Sequence, residues 1–332
     1  MQQQKLGTNG PSVSRMGLGC MGMSGMYGQS NRKESIATIH EALDSGINLL
    51  DTGDFYGMGH NEMLIREALE GRQRDRVQIS VKFGALRTPA GPFSGYDGRP
   101  EAVKNFLAYS LNRLGTDYID IYRPARVDPA VPIEETVGAI AEMVKTGYVR
   151  HIGLSEVGAE TLRRANTIHP ITDVQIEYSI LSRGIEAEIL PTARELGVSI
   201  TAYGVLSRGL LSGNWSKERA KEGDMRRGLP RFQGENLDKN LSLIEALRAI
   251  AKEKGVTVSQ LSIAWVLAAG GDVVPLMGAR RRDQLRDALG ALEIQLSKED
   301  LQRIENAVPK NSVAGERYPA MQMAHLDSER RI

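Results

Sequence analysis

The sequence predicts an α/β fold, namely a single (β/α)8 TIM barrel with an N-terminal hairpin and long loops at one rim. Short runs rich in β-branched residues alternate with segments whose apolar residues recur every three or four positions. Counted from Met16, eight such strands occur, and each is followed by a helix. Sustained alternation without a break in composition favours a closed barrel over a doubly wound sheet. We therefore expect residues 1–332 to form one domain.

Each element of the predicted barrel has its own sequence signal. The predicted strands are 16–20, 47–50, 77–81, 118–122, 149–154, 173–176, 199–202 and 273–275. The predicted helices are 33–45, 61–70, 100–114, 132–145, 159–167, 185–196, 240–254, 259–269 and 282–289. Gly46, Gly147 and Gly197 close helices just before strands, where the left-handed conformation favours glycine. Turn residues at 8–11 predict that residues 1–15 form a hairpin, which could plug the bottom of the barrel.

Three segments depart from this alternation. Residues 83–99 and 204–239 each follow a strand and are too long for a simple connection. Since both follow strands, we expect them on the rim where a barrel enzyme keeps its chemistry. Segment 204–239 is predicted to be a lid over a cofactor, with a disordered insertion as the alternative. The tail, residues 309–332, either crosses the rim or frays.

The charge and composition exclude several classes of function. Lys and Arg number 42 against 41 Asp and Glu, a net charge of +1, so no global field attracts nucleic acid or an anionic membrane. No apolar run reaches transmembrane length, and residues 1–5 lack the apolar core of a signal peptide. The one cysteine, Cys20, cannot form an internal disulfide, and the histidine spacings match no metal site. We expect a cytoplasmic protein with a small-molecule partner; the oligomeric state stays open.

One stretch carries the chemistry. The apolar strand at 47–50 runs into Asp51, Tyr56 follows in a glycine-bearing loop, and Lys82 ends the next strand. Carboxyl ends of parallel strands meet at one rim, so the acid, the phenol and the amine are expected together. Tyrosine, with a pKa of about 10, exchanges protons poorly near neutrality. An adjacent ammonium is expected to lower that pKa, and Asp51 to hold the lysine in place.

The order and spacing of further motifs are highly specific. They are Gly17-Leu-Gly-Cys-Met-Gly-Met23, Asp51-Thr-Gly-Asp-Phe-Tyr-Gly57, His60-Asn-Glu62, Lys82-Phe-Gly84, Gly98-Arg-Pro-Glu101, Ser110-Leu-Asn-Arg-Leu-Gly115, Asp117-Tyr-Ile-Asp-Ile-Tyr122, Gly153-Leu-Ser155, Gln175-Ile-Glu-Tyr178, Thr201-Ala-Tyr-Gly204, Arg208-Gly-Leu-Leu211 and Pro275-Leu-Met-Gly-Ala-Arg280. Over nearly its whole length the chain resembles the aldo-keto reductase superfamily, and within it the bacterial and plant group of pyridoxal reductase-like and auxin-induced-type proteins.

The resemblance implies a reductase that uses NADPH to reduce aldehydes or ketones and works in reverse as an NADP-dependent alcohol dehydrogenase. Tyr56 would be the general acid, Lys82 the group that tunes it, and Asp51 the partner of the lysine. The implied cofactor contacts are Gly19, Cys20, Met21, Asp51, Ser155, Glu156, Gln175, Tyr203, Gly204, Leu206, Arg208, Gly209, Gly278, Arg280, Gln284 and Asp287.

Some of these contacts have specific expected roles. Tyr203 would lie under the nicotinamide, and Ser155 and Gln175 would bind its carboxamide. Gly278 and Arg280 would hold the adenosine 2′-phosphate, because a helix N-terminus offers free N–H groups and guanidinium binds phosphate with paired hydrogen bonds. The resemblance therefore favours NADP(H) over NAD(H).

The chain departs from the family where a catalytic histidine is expected. The family pattern reads Tyr-x-x-His-Arg-x-Asp, and if Arg126 and Asp128 fix the register, Ala125 takes the place of histidine. Loss of one hydrogen-bond donor to developing negative charge costs on the order of 10²–10³ in rate. A substrate hydroxyl, a water or Arg123 could replace it; the pocket could be enlarged for a bulky ketone; or catalysis could be lost. We favour an enlarged, active site. Arg123 is the candidate replacement for the lost hydrogen-bond donor, because alternation places it on the same strand face as position 125.

Two further departures concern the cofactor. Glu156 stands where the family usually has asparagine, and an ionised carboxylate cannot donate to the carboxamide carbonyl. Ala288 stands where many relatives have an asparagine near the adenine. The predicted substrate contacts are Tyr27, Tyr56, Arg123, Ala125 and Trp215. The alternative to an enzyme is an NADP(H)-sensing regulatory protein with weak or no catalysis, which the missing histidine motivates and the intact Asp51, Tyr56 and Lys82 argue against.

Overall fold

Eight parallel strands close into a barrel in the computed structural model, which describes residues 1–91, 93–213, 215 and 224–330. In chain order they are β3 (Gly17–Gly19), β4 (Leu49–Gly53), β5 (Gln78–Phe83), β8 (Ile119–Pro124), β9 (Val149–Ser155), β10 (Ile171–Glu177), β11 (Ser199–Tyr203) and β12 (Val273–Gly278). Two antiparallel hairpins lie outside the barrel: β1 (Gln3–Lys5) with β2 (Ser12–Ser14), and β6 (Ala85–Arg87) with β7 (Phe93–Tyr96). The predicted (β/α)8 fold is confirmed.

Helices connect the strands and cover the barrel. They are α1 (Arg32–Asp44), α2 (His60–Leu69), α3 (Pro100–Leu114), α4 (Ile133–Lys145), α5 (Ala159–Ile168), α6 (Ile189–Glu195), α7 (Gly234–Glu253), α8 (Val258–Leu267), α9 (Arg282–Leu289), α10 (Lys298–Ala307) and α11 (Ala320–Met323). Gly46, Gly147 and Gly197 have φ values of 90°, 85° and 68°, as predicted for residues that end helices. None of these helices is both long enough and apolar enough to span a membrane.

Seven of the eight barrel strands extend further at their carboxyl ends than the sequence suggested, and only β3 ends earlier, at Gly19. β4 continues to Gly53, so Asp51 lies inside the strand, paired with Ser80, and Lys82 of β5 is paired with Arg123 of β8. Polar residues predict the end of a strand, but the backbone pairing of these strands continues past them, because only the side chains need to face the rim. The same effect lengthens β8, which continues through Arg123, whereas β12 continues past Pro275 through the apolar Leu276 and Met277.

The hairpin β6–β7 and the helices α10 and α11 were not predicted. Glycine and proline in 83–99 concealed the hairpin β6–β7. Helix α10 carries a capping box, in which Ser297 Oγ accepts from the amide of Asp300 at 3.1 Å and the Asp300 carboxylate accepts from the amide of Ser297. The Ser-x-x-Asp pattern at 297–300 is a sequence signal for the start of a helix, and it could have predicted α10.

The N-terminal hairpin plugs one end of the barrel, as suggested. Leu6 and Val13 are fully buried in one apolar cluster with Leu49, Ile121, Val274 and Leu276. The last four lie on barrel strands. The hairpin therefore covers one end of the barrel, opposite the rim where the strands finish and where barrel enzymes keep their chemistry.

Candidate active site

Asp51 is the centre of the buried polar group at the carboxyl edge of the barrel. Its Oδ1 lies 2.5 Å from Lys82 Nζ, and both side chains are almost fully buried. Its Oδ2 accepts from Ser80 Oγ at 3.1 Å and from Gln175 Nε2 at 2.7 Å. The predicted contact between Asp51 and Lys82 is therefore present in the structure. Ser80 and the Asp51 contact of Gln175 were missed, although Ser80 shares the strand face of Lys82 by simple alternation.

Tyr56 lies beside this ion pair, in the turn that follows β4. Its ring is 6% exposed, and Lys82 Nζ lies 5.2 Å from the ring centre. Burial, followed by the negative charge of Asp51, raises the pKa of Tyr56 well above its usual value. The expected net lowering of this pKa is not found, because burial and the charge of Asp51 outweigh the nearby ammonium of Lys82. Tyr56 is accordingly a protonated phenol near neutral pH.

The structure contradicts the proposed role of Arg123. Its side chain has no exposed surface; Nη1 donates to Asp173 Oδ2 at 2.8 Å and Nη2 to Ser80 Oγ at 3.0 Å. The buried carboxylate of Asp173 holds the guanidinium inside the barrel, so Arg123 is not a substrate contact. Ala125 follows β8 directly, is buried, and donates its amide to Phe83 O at 2.8 Å.

Arg126, which served only to fix the register, is the cation at the rim beside Ala125. Its Nη1 donates to Ala125 O at 2.6 Å and lies 3.5 Å from Ser155 Oγ at the end of β9. Within the described part of the chain, its Nε and Nη2 make no hydrogen bond. Burial raises the pKa values of Tyr56, Tyr96 and Tyr203, and the charge of Arg126 opposes that rise in each. The guanidinium therefore acts on the groups around the proposed reaction centre.

Glu156 is occupied by the C-terminal tail. Its carboxylate, fully buried after β9, accepts from Arg317 Nη2 at 2.9 Å, Ser328 Oγ at 2.6 Å and the hydroxyl of Tyr203 at 2.6 Å. Burial alone would raise the pKa of Glu156, but Arg317 holds it well below its usual range. The predicted cofactor contact thus binds the tail, and with it fixes the hydroxyl of the predicted nicotinamide platform.

A second buried carboxylate, Glu177 at the end of β10, joins the same group. It accepts from Arg208 Nη2 at 2.8 Å and from Arg317 Nη1 at 3.3 Å. The guanidinium of Arg208 lies 4.4 Å from the ring centre of Tyr318, whose hydroxyl lies 3.0 Å from that of Tyr203. We call Glu156, Glu177, Arg208 and Arg317 the tail cluster. Sequence reasoning missed Arg317 and Glu177 because the partners are 140 or more residues apart.

The tail cluster decides between the two expectations for the tail. The described residues of the tail cross the rim and do not fray. Arg317 is 7% exposed, and Asp327 Oδ2 accepts from the amide of Gly158, at the start of α5, at 2.8 Å. Arg208, predicted to contact the cofactor, is held by Glu177 here.

The predicted phosphate site lies at the start of α9. Gly278 is exposed at the end of β12. Arg281 pairs with Asp283 at 2.8 Å and Arg282 with Glu34 at 3.0 Å. Arg280 donates instead to the carbonyl oxygens of Tyr27 and Gln29, at 2.9 and 3.3 Å, and pairs with no carboxylate among the described residues. Of the three arginines, Arg280 is the one whose charge remains open to an anion.

The other two residues predicted near the adenine have local partners. Gln284 Oε1 accepts from the amide of Arg280 at 3.2 Å. Asp287 Oδ1 accepts from Thr257 Oγ1 at 3.0 Å. Both lie on α9, so the structure brings them to the same end of the barrel as Gly278 and Arg280.

Aromatic side chains form part of the rim around these groups. Arg226 lies 5.4 Å from the ring centre of Tyr27 and 4.3 Å from that of Trp215, which also packs edge-on against Phe232. The described part of the predicted lid therefore contacts the loop after β3; residues 214 and 216–223 of that lid lie outside the described residues. The remaining predicted cofactor residues also lie at strand ends: Gly19, Cys20 and Met21 at β3, and Gly204, Leu206 and Gly209 after β11.

A barrel with a buried Asp–Lys pair beside a tyrosine at its carboxyl edge is typical of oxidoreductases that act on carbonyl groups. The sequence profile of the aldo/keto reductase family matches residues 15–309, and the chain belongs to that family. The family implies oxidoreductase activity with a nicotinamide cofactor.

Individual relatives agree with this assignment. The chain is 44% identical over 319 residues to probable aldo-keto reductase 1 of Glycine max, which covers 96% of this chain and 92% of the relative. The glycerol dehydrogenase AKR11B4 of Gluconobacter oxydans superposes with a TM-score of 0.83 at 26% identity, covering 99% of this chain and 97% of that one. The holo form of aldo-keto reductase AKR11C1 of Bacillus halodurans gives 0.78 at 30% identity, covering 93% and 97%.

Proposed function

We propose that this protein reduces aldehydes or ketones with NADPH and catalyses the reverse oxidation of alcohols with NADP⁺. The observation that carries the proposal is the buried Asp51–Lys82 pair beside a protonated Tyr56 at the open end of the barrel. The family assignment supplies the reaction class, and the arrangement of these three side chains supports the roles of acid, tuning group and partner.

The residues present fit the proposed cofactor. The charge of Arg280 has no carboxylate partner among the described residues, and the exposed Gly278 leaves the start of α9 open to phosphate. Ser155 and the Oε1 of Gln175 would bind the carboxamide, with Tyr203 under the ring. Because guanidinium binds phosphate in pairs of hydrogen bonds, Arg280 favours NADP(H) over NAD(H). When bound, the nicotinamide supplies the hydride that the carbonyl carbon accepts.

Tyr56 gives the proton. Its phenol is protonated near neutral pH, so it can donate to the carbonyl oxygen as negative charge develops there. The ammonium of Lys82, held by Asp51, then lies beside the phenolate that forms. In place of the missing histidine, Arg126 donates a hydrogen bond to the same oxygen from its unpaired N–H groups. The small Ala125 side chain leaves room for a bulky carbonyl substrate.

A regulatory protein that senses NADP(H) is the second candidate. Two observations favour it: Ala125 in the histidine position, and the tail cluster, which ties the predicted nicotinamide platform to a segment that could signal. The intact group of Asp51, Tyr56 and Lys82 favours the enzyme.

Binding and turnover measured in sequence test the proposal. The purified protein is titrated with NADPH by fluorescence, and NADPH oxidation is then followed with a panel of aldehydes and bulky ketones. We expect binding that is tighter for NADPH than for NADH, and turnover of at least one carbonyl. Tight binding with no turnover of any carbonyl, and none of alcohols with NADP⁺, would favour the sensor.

A further inference from the structure

A second buried ion pair lies in the barrel interior below the catalytic group. Arg123 of β8 and Asp173 of β10 both have no exposed surface. Arg123 Nη1 lies 2.8 Å from Asp173 Oδ2, and the same carboxylate oxygen accepts from Thr201 Oγ1 of β11. The barrel therefore encloses two ion pairs, and the proposed reaction uses only Asp51–Lys82 directly.

The barrel is shaped to hold this lower pair. A Cβ atom at Gly153 of β9 would lie 2.7 Å from Asp173 Oδ1 and 2.9 Å from Arg123 Cζ, so only glycine leaves the space. Stability does not account for the pair, since burying two charges costs more desolvation than a well-packed apolar pair. In addition, Arg123 Nε and Asp173 Oδ1 have no partner among the residues that the structure describes.

A single hydroxyl connects this pair to the catalytic group. Arg123 Nη2 donates to Ser80 Oγ at 3.0 Å, and guanidinium can only donate. The Ser80 oxygen must therefore accept, which directs its own proton to Asp51 Oδ2 at 3.1 Å. Asp51 in turn holds Lys82 through its other oxygen. The hydrogen bonds thus run in one direction, from Arg123 through Ser80 to Asp51.

We propose that the Arg123–Asp173 ion pair is a positioning device for the reaction, which acts through Ser80 to fix the carboxylate of Asp51 and hence the Lys82 ammonium beside Tyr56. The inference rests on the proposed function for its catalytic consequence. Arg123 and Ser80 are positioning residues, because neither touches the reacting atoms.

The electrostatics agree with this arrangement. Burial lowers the pKa of Lys82, Asp51 opposes that change, and the nearby charge of Arg123 lowers the pKa further. Loss of the Ser80 hydroxyl would leave Asp51 less solvated, so Asp51 would attract the ammonium more strongly and the pKa of Lys82 would rise.

Ser80→Ala is the most selective test, because it breaks the connection without leaving an unpaired buried charge. Its matched control is Ser262→Ala, an equally buried serine that donates only to Val258 O within α8. The side-chain nitrogen of Lys82 is titrated by NMR in protein labelled with ¹⁵N-lysine, and Lys82→Met assigns the signal. We expect the pKa of Lys82 to rise by ~0.5–1 unit in Ser80→Ala and to stay unchanged in the control.

A double variant, R123M/D173L, replaces the pair with apolar side chains of similar size, and the same rise is expected there. An unchanged Lys82 titration in both Ser80→Ala and the double variant would overturn the inference. The Lys82 titration needs no turnover, so it tests the inference whether or not the wild-type protein reduces a carbonyl. Absence of turnover in the wild-type protein would count against the proposed function alone. In an active enzyme, the alkaline limb of kcat for alcohol oxidation moves with the Lys82 titration, whereas a purely structural role lowers kcat equally at every pH.

Discussion

The charge balance around Tyr56 depends on three side chains at the rim: Asp51, Lys82 and Arg126. The first two nearly cancel each other at 2.5 Å, so Arg126 contributes the net positive charge near Tyr56. Among the described residues its Nε and Nη2 have no protein partner. In the proposed mechanism, Arg126 therefore supplies the donor that Ala125 cannot.

Arg126→Gln should lower kcat by about 10²–10³-fold, the range for losing one donor to developing negative charge. We expect the Kd for NADPH, from fluorescence titration, to stay within about threefold, since the change concerns the substrate oxygen. Adding Ala125→His to this variant should restore part of the lost rate. Arg66→Gln, at an exposed arginine of α2, is the control. Wild-type kcat in Arg126→Gln would show that a water or a substrate hydroxyl fills the position instead.

The proposed catalytic residues were predictable because they depend on local pattern. Asp51, Tyr56 and Lys82 follow apolar strand runs, and strand ends meet at one rim whatever the rest of the chain does. The partner of Arg123 was not predictable, because Asp173 lies 50 residues further along the chain. Strand alternation predicts the face on which a side chain lies, but not how deep in the barrel it lies. The pKa of Tyr56 was misjudged for the same reason, since burial cannot be read from a motif.

At the scale of elements, the tail is the least expected feature. Arg317 forms ion pairs with both Glu156 after β9 and Glu177 of β10, and with Glu329 of the tail itself. Residues on either side of α11 are thereby fastened over the end of the barrel. Since Glu156 also accepts from the hydroxyl of Tyr203, one carboxylate contacts both the tail and the predicted nicotinamide platform.

Arg317→Ala should release the tail, because it leaves two buried carboxylates without their shared partner. We expect amide hydrogen exchange in residues 318–330 to become at least about tenfold faster, and NADPH dissociation measured by stopped flow to accelerate. Arg330→Ala removes an exposed arginine of the same tail and serves as the control. Exchange in Arg317→Ala that matches the control would contradict a role for the tail cluster in holding the tail.

The positions of the helices and strands followed from periodicity, but their ends did not. Strands such as β4 and β8 continue through polar residues because backbone pairing persists where side chains turn toward the rim. The hairpin β6–β7 was hidden by its glycines and proline, which are as typical of irregular loops as of tight turns.

At the scale of the whole molecule, barrel closure brings distant residues together. The spatial order places β3 between β12 and β4, so the first and last barrel strands are neighbours. Arg280 after β12 consequently contacts the loop after β3 through Tyr27, so the predicted phosphate site adjoins a predicted substrate contact. The alternation of elements predicted this closure, whereas the contacts across it depend on loops that periodicity does not describe.

The central claim is that Tyr56 is the proton donor of a carbonyl reductase, and turnover by Tyr56→Phe tests it most directly. With the best substrate from the panel, we predict that kcat falls by about 10²–10⁴-fold while NADPH binding is unchanged, because phenylalanine keeps the ring and loses only the hydroxyl. Tyr109→Phe, at an exposed tyrosine of α3, should retain full activity. Turnover by Tyr56→Phe equal to that of the wild type would contradict the account.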